Sequence, residues 1–132
     1  MHPFLRAYLA GIALPTMVIP LVIAGLALHH PAPRPFHVEE VIIFPIGLAP
    51  NAWGLWNMLY LWVRRHRELP IGAFGAVLVL FIAPAAFALQ VALDKVVWTL
   101  PLVAAGLPLT FLLYYLAWKH VVARLNGLLG IG

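Results

Sequence analysis

Six histidines and four carboxylates are the side chains in this sequence best suited to hold a metal or move a proton near neutral pH. His29, His30 and His37 share one stretch with Glu39 and Glu40, which brings imidazole and carboxylate donors for zinc or copper close together along the chain. Pro31, Pro33 and Pro35 hold that stretch extended, and its spacing is not that of an established metal site. A solvated polar loop without metal is the expectation. His66 and His120 stand beside Arg65, Arg67 and Lys119 at the ends of apolar runs, a headgroup setting rather than a haem pocket. The chain has no cysteine and no serine, so thiolate and serine nucleophiles are absent. Glu39, Glu40, Glu68 and Asp94 are too dispersed for a paired-carboxylate site. No catalytic residue, no cofactor and no enzyme activity are expected.

The remaining chemistry is uncharged and lies within apolar runs. Pro15, Pro50, Pro84 and Pro108 fall near the middle of their runs, with Thr16, Asn51 and Thr110 at similar depth. Each proline deprives the carbonyl four residues earlier of its helical donor, at Gly11, Ile46, Leu80 and Ala104. Loosened carbonyls, hydroxyls and an amide at one depth are the materials of a polar pathway through a membrane. The plainer account has Thr16 bonding its own helix and Asn51 bridging to a neighbour, and it is the one expected.

A second constellation is aromatic and lies in Val41–Val63, VIIFPIGLAPNAWGLWNMLYLWV. With Gly47 as zero and about 100° per residue, Asn51, Gly54 and Met58 fall within about 40° of it. Ala49, Trp53, Trp56 and Tyr60 gather on the opposite side. The small and polar stripe suits contact within a bundle. Trp53, Trp56 and Tyr60 lie deep for interface anchors and read as a docking face for a partner or an apolar ligand. They would instead be core if the bundle wraps around this helix. Trp62 stands apart, where an interface anchor belongs.

Residues of this kind need membrane-spanning helices to position them. The chain is 64% hydrophobic and 9% charged, with a mean hydropathy of +1.00, outside the range of soluble globular domains. Every charged residue and every histidine lies outside four runs at about 7–28, 41–63, 69–93 and 96–118. Each run is long enough to cross a hydrocarbon core of about 30 Å. The first, with Pro15 and Pro20, reads as a span rather than a cleaved signal. The expected fold is a single all-α membrane domain: a four-helix transmembrane bundle with short loops and a C-terminal tail that extends a helix or lies amphipathic on the membrane. Val121, Val122, Leu125, Leu128 and Leu129 line one side of that tail, with Arg124 and Asn126 off it.

A net charge of +4 and a pI near 10 invite a nucleic-acid reading, but the basic residues sort by membrane side. With a cytoplasmic N-terminus, Arg6, Arg64, Arg65, Arg67, Lys119 and Arg124 fall inside, and Arg34 and Lys95 outside. This predicts a multi-pass protein of a bacterial-type inner membrane, both termini cytoplasmic, and no nucleic-acid partner. Coupled carriers need an ionisable group within the membrane, and none of the four runs holds one. The function expected is that of a non-enzymatic accessory or scaffold subunit. It would dock on other membrane proteins or on itself, with bound lipid or another apolar ligand as a further occupant. The alternative is a small oligomeric channel or facilitator for a neutral solute, lined by the band of proline, asparagine and threonine.

Overall fold

The computed structural model describes residues 1–29, 42–92 and 99–132. His30, Arg34, His37, Glu39, Glu40, Asp94 and Lys95, with the expectations attached to them, lie outside the described residues. Among the described residues all regular structure is helical: α1 (Pro3–His29), α2 (Ala49–Val63), α3 (Ile71–Val77), α4 (Val79–Ala92), α5 (Leu100–Ala117) and α6 (Ala123–Leu128). Three stretches are long and apolar enough to cross a membrane, Pro3–Gly25, Ile71–Ala92 and Leu100–Leu128, the mark of a helical membrane protein.

The run expected as the second span is helical from Ile42 to Val63 but in two parts. Ile42–Leu48 winds as a wider π-helix, where Pro45 and Pro50 withdraw backbone donors, and α2 follows with Pro50 in its first turn. Asn51 and Asn57 make this run less apolar than its neighbours. After α2 the chain turns through Arg64–Pro70, and extended Pro70 starts α3. Leu78 separates α3 from α4 because its N–H bonds the Gly75 carbonyl at 3.1 Å, a tighter turn than the α-helix makes.

Helix α5 runs without a break into a π-helical turn, Trp118–Val122, and then into α6. The tail is therefore helix-extending. It closes on Gly130, whose φ of 69° suits glycine, with Gly130 N–H bonding Gly127 O at 3.0 Å and Ile131 N–H bonding Asn126 O at 2.9 Å. That pair of bonds satisfies carbonyls that the helix end would otherwise leave open.

Packing is concentrated at one end. Arg6 Nη1 donates to the Leu129 carbonyl at 3.2 Å, and the Arg65 guanidinium lies 5.3 Å from the Phe4 ring. The start of α1, the end of α2 and the tail thus share what is here called the basic end. One apolar cluster there joins Ala7, Leu61 and Ile131. The other joins Trp53, Leu78, Trp118 and Val122, with Leu14, Trp56 and Tyr114 packed on it. Glycines admit these contacts. A Cβ on Gly11 would meet Trp53 O at 2.5 Å, and one on Gly75 would meet Trp118 Cγ at 2.0 Å. Away from this end burial is sparse: α5 buries no residue and α4 buries Val79 alone.

Candidate functional site

Helix α2 is the centre of the packed end, with α1 on one side and α3 and the α5–α6 rod on the other. Its Gly54 lies against α1, where an added Cβ would come within 2.6 Å of the Tyr8 ring. This is the small stripe acting as a bundle face, as its residue types imply.

The three rings opposite do not form an outward docking face. Trp53 is 5% exposed, 4.9 Å from the Tyr114 ring and 5.4 Å from that of Trp118. Tyr60 is buried, its ring 5.3 Å from Phe74, and its hydroxyl donates to Leu69 O at 3.3 Å. Trp56 is half-buried between Phe74 and Phe81, at 5.0 and 5.2 Å. The physical reason is that α2 is enclosed on both faces, so its aromatic side meets other helices of its own chain. Trp62, by contrast, is exposed and lies beside His66 at 5.7 Å.

Trp56 also explains the break at Leu78. Its Nε1–H donates to the Phe74 carbonyl at 2.8 Å, while the Leu78 N–H turns to Gly75 instead of reaching back to Phe74. A side chain from α2 takes the carbonyl that the Leu78 N–H would otherwise meet, and the helical ladder is interrupted there. Trp56→Phe keeps the ring and removes this bond. Thermal unfolding in detergent should show a loss of about 1 kcal/mol, the scale of interhelical bonds in membranes.

The polar band does not converge within the chain. Thr16 Oγ1 donates to Ile12 O at 2.6 Å and Thr110 Oγ1 to Gly106 O at 3.0 Å, each within its own helix. Asn51 Nδ2 donates to Gly47 O at 2.7 Å, and its Oδ1 accepts the Tyr8 hydroxyl, so it bridges α2 to α1 while staying exposed at the seam. Pro15 and Pro50 are buried, whereas Pro84 and Pro108 are exposed.

The polar centre of the molecule lies elsewhere. Asn57 is fully buried and Asn126 is 3% exposed. Asn57 Nδ2 donates to Asn126 Oδ1 at 2.7 Å and also to Ala7 O at 2.7 Å, while Asn126 Nδ2 returns a bond to Asn57 Oδ1 at 3.1 Å. Two side-chain amides thereby tie α1, α2 and α6 together. The π turn makes this possible. In an α-helix, residues 118 and 126 would be about 80° apart around the axis. The wider turn advances less per residue, so Trp118, Val122 and Asn126 come onto one buried face. Asn57 carried a weaker sequence signal: it falls about 80° from Gly47, at the edge of both stripes. Nearby, the Trp118 Nε1–H is buried without a hydrogen-bond partner.

Among the described residues, no group of three or more histidine, cysteine, aspartate or glutamate side chains is placed to hold a metal ion. The fold and site define a small helical membrane protein, fastened at its basic end by an aromatic core and an asparagine pair, with little buried in α4 and α5. Comparison with protein-family models, curated proteins and solved structures found no match.

Proposed function

We propose that this is a four-span protein of a bacterial-type inner membrane, both termini cytoplasmic, serving as a non-enzymatic accessory subunit that docks on other membrane proteins. The observation that carries the reading is the unpartnered apolar surface away from the basic end. No residue of α5 is buried, and α4 buries Val79 alone. Between the two helices lies an apolar cleft of about 280 Å³, lined by Val79, Leu80, Pro84 and Phe87 on one wall and Val103 and Leu107 on the other. Membrane helices associate through close packing, so loosely joined helices with one firmly built end suit a subunit completed by its partner. The proximity of Phe4 to Arg65 supports an antiparallel α1–α2 pair, and thereby a second crossing by the chain from Ile42 to Val63.

Two experiments test the proposal. Single cysteines at His2, His66 and Gly132 should be shielded from an impermeant thiol reagent added outside intact cells, while cysteines at Pro33 and Asp94 are labelled. External labelling at His66 would invert the topology. Purification in a mild detergent should retain a second membrane protein in fixed stoichiometry. Replacing Leu107 and Val103 by tryptophan should fill the cleft and release that protein while leaving thermal unfolding of the isolated chain unchanged. A chain that purifies alone and monomeric under every mild condition would refute the docking function.

A further inference from the structure

The charge run Arg64–Glu68, read from sequence as a topology signal, is divided by the fold. Arg65 turns toward α1 and lies over Phe4. Arg64 and Arg67 instead line a recess of about 480 Å³ with Tyr60, Glu68, Leu69 and Pro70. The turn that follows α2 builds it: the Arg64 N–H bonds Tyr60 O at 2.9 Å, and the Arg67 N–H bonds Val63 O at 3.0 Å. Leu69 and Pro70 add apolar lining, and Tyr60, whose hydroxyl donates to Leu69 O at 3.3 Å, lines the recess from α2.

We propose that this recess binds a phosphate group, delivered at the membrane surface by an anionic phospholipid. Among the described residues neither Arg64 nor Arg67 makes a side-chain hydrogen bond or an ion pair, so both guanidinia are open to a ligand. A guanidinium offers planar paired donors that match phosphate oxygens, and two arginines line this one depression. Glu68 lines the same depression without neutralising either arginine, which leaves the recess net positive. Its position directly before Ile71, where the span-length stretch Ile71–Ala92 begins, is the depth of lipid headgroups. A lining that mixes arginines with apolar residues suits a ligand that is itself amphipathic. The site is independent of the proposed docking role and of which membrane face carries the basic end.

The test uses the full-length protein in detergent micelles, with bound lipid counted by native mass spectrometry. Phosphatidylglycerol should be retained about tenfold more than phosphatidylcholine. Arg64→Gln with Arg67→Gln should abolish that preference, whereas Arg65→Gln should leave it within about twofold. Glu68→Gln removes the repelling carboxylate and should strengthen retention several-fold. Inorganic phosphate at millimolar concentration should compete with the lipid. If phosphate binds alone and the lipid shows no preference, the site stands but its ligand is a soluble phosphate. An equal loss with Arg65→Gln would reduce the effect to diffuse charge and overturn the site, as would failure of both phosphate and phosphatidylglycerol to bind. Should the double variant misfold, as judged by gel filtration, Arg65→Gln and Glu68→Gln decide: weakening by the first, or no gain from the second, overturns it.

Discussion

Asn57→Leu should destabilise the protein by about 1–3 kcal/mol, the cost of leaving a buried amide without its partner. The side chain is fully buried and makes three hydrogen bonds, two with Asn126 and one to Ala7 O. Leucine is close in size, so the loss isolates the bonding. Asn126 would then keep its carbonyl and amine inside the bundle with nothing to meet them. The companion experiment is Asn57→Leu with Asn126→Leu. Replacing both partners by apolar groups of similar shape is often nearly neutral, so the double variant should regain most of the loss. Thermal or denaturant unfolding in detergent micelles supplies the cycle. Additive losses would show that the two amides do not act as a pair. Asn126→Leu alone should also expose the tail to proteolysis, because Asn126 and Ile131 are what bury it.

Trp118→Ala should cost about 3–5 kcal/mol, the range for truncating a large buried aromatic. Trp118 is fully buried, and its ring lies against Trp53 at 5.4 Å and against Gly75, where no side chain fits. In a lipid environment the hydrophobic drive for helix association is weak, so packing contacts carry the energy, and removing this ring leaves a void they cannot close. The reciprocal variant, Gly75→Val, pushes from the other side: its Cβ alone would overlap the indole, and overpacking of this kind costs about 1–3 kcal/mol. Gly75→Ala with Trp118→Phe should recover part of the loss, since the smaller ring makes room. If Gly75→Val unfolds at the same temperature as the parent, α3 and the Trp118–Val122 turn do not meet as described.

Membrane class and helix content were legible in the sequence because they depend on composition and run length. Positions 7–28, 69–93 and 96–118 are long apolar runs, and apolar helices of that length survive any detail of packing. The close approach of Gly54 was also legible, since a small stripe on one helix face has a simple meaning. The aromatic face of α2 was not. A helical wheel shows that Trp53, Trp56 and Tyr60 share a side, but not whether neighbours stand there, and here α2 is enclosed by its own chain. The Asn57–Asn126 pair lies further from view. It requires the π turn at Trp118–Val122, which shifts the register of everything after it, and no residue type announces such a turn. Asn126 consequently reads as off the buried side of the tail when a straight α-helix is assumed. Trp56 breaking the α3–α4 rod at Leu78 is invisible for the same reason: the cause is a side chain from another helix.

Site-specific photo-crosslinking in native membranes tests the central claim, that one end is a closed core and the other a surface for a partner. A photoreactive amino acid at Leu80 or Leu109, which are 58% and 61% exposed, should form adducts with another membrane protein or a second copy of the chain. The same group at Trp53, inside the core, should form none. Adducts to lipid alone from Leu80 and Leu109, or protein adducts from Trp53, would contradict the account.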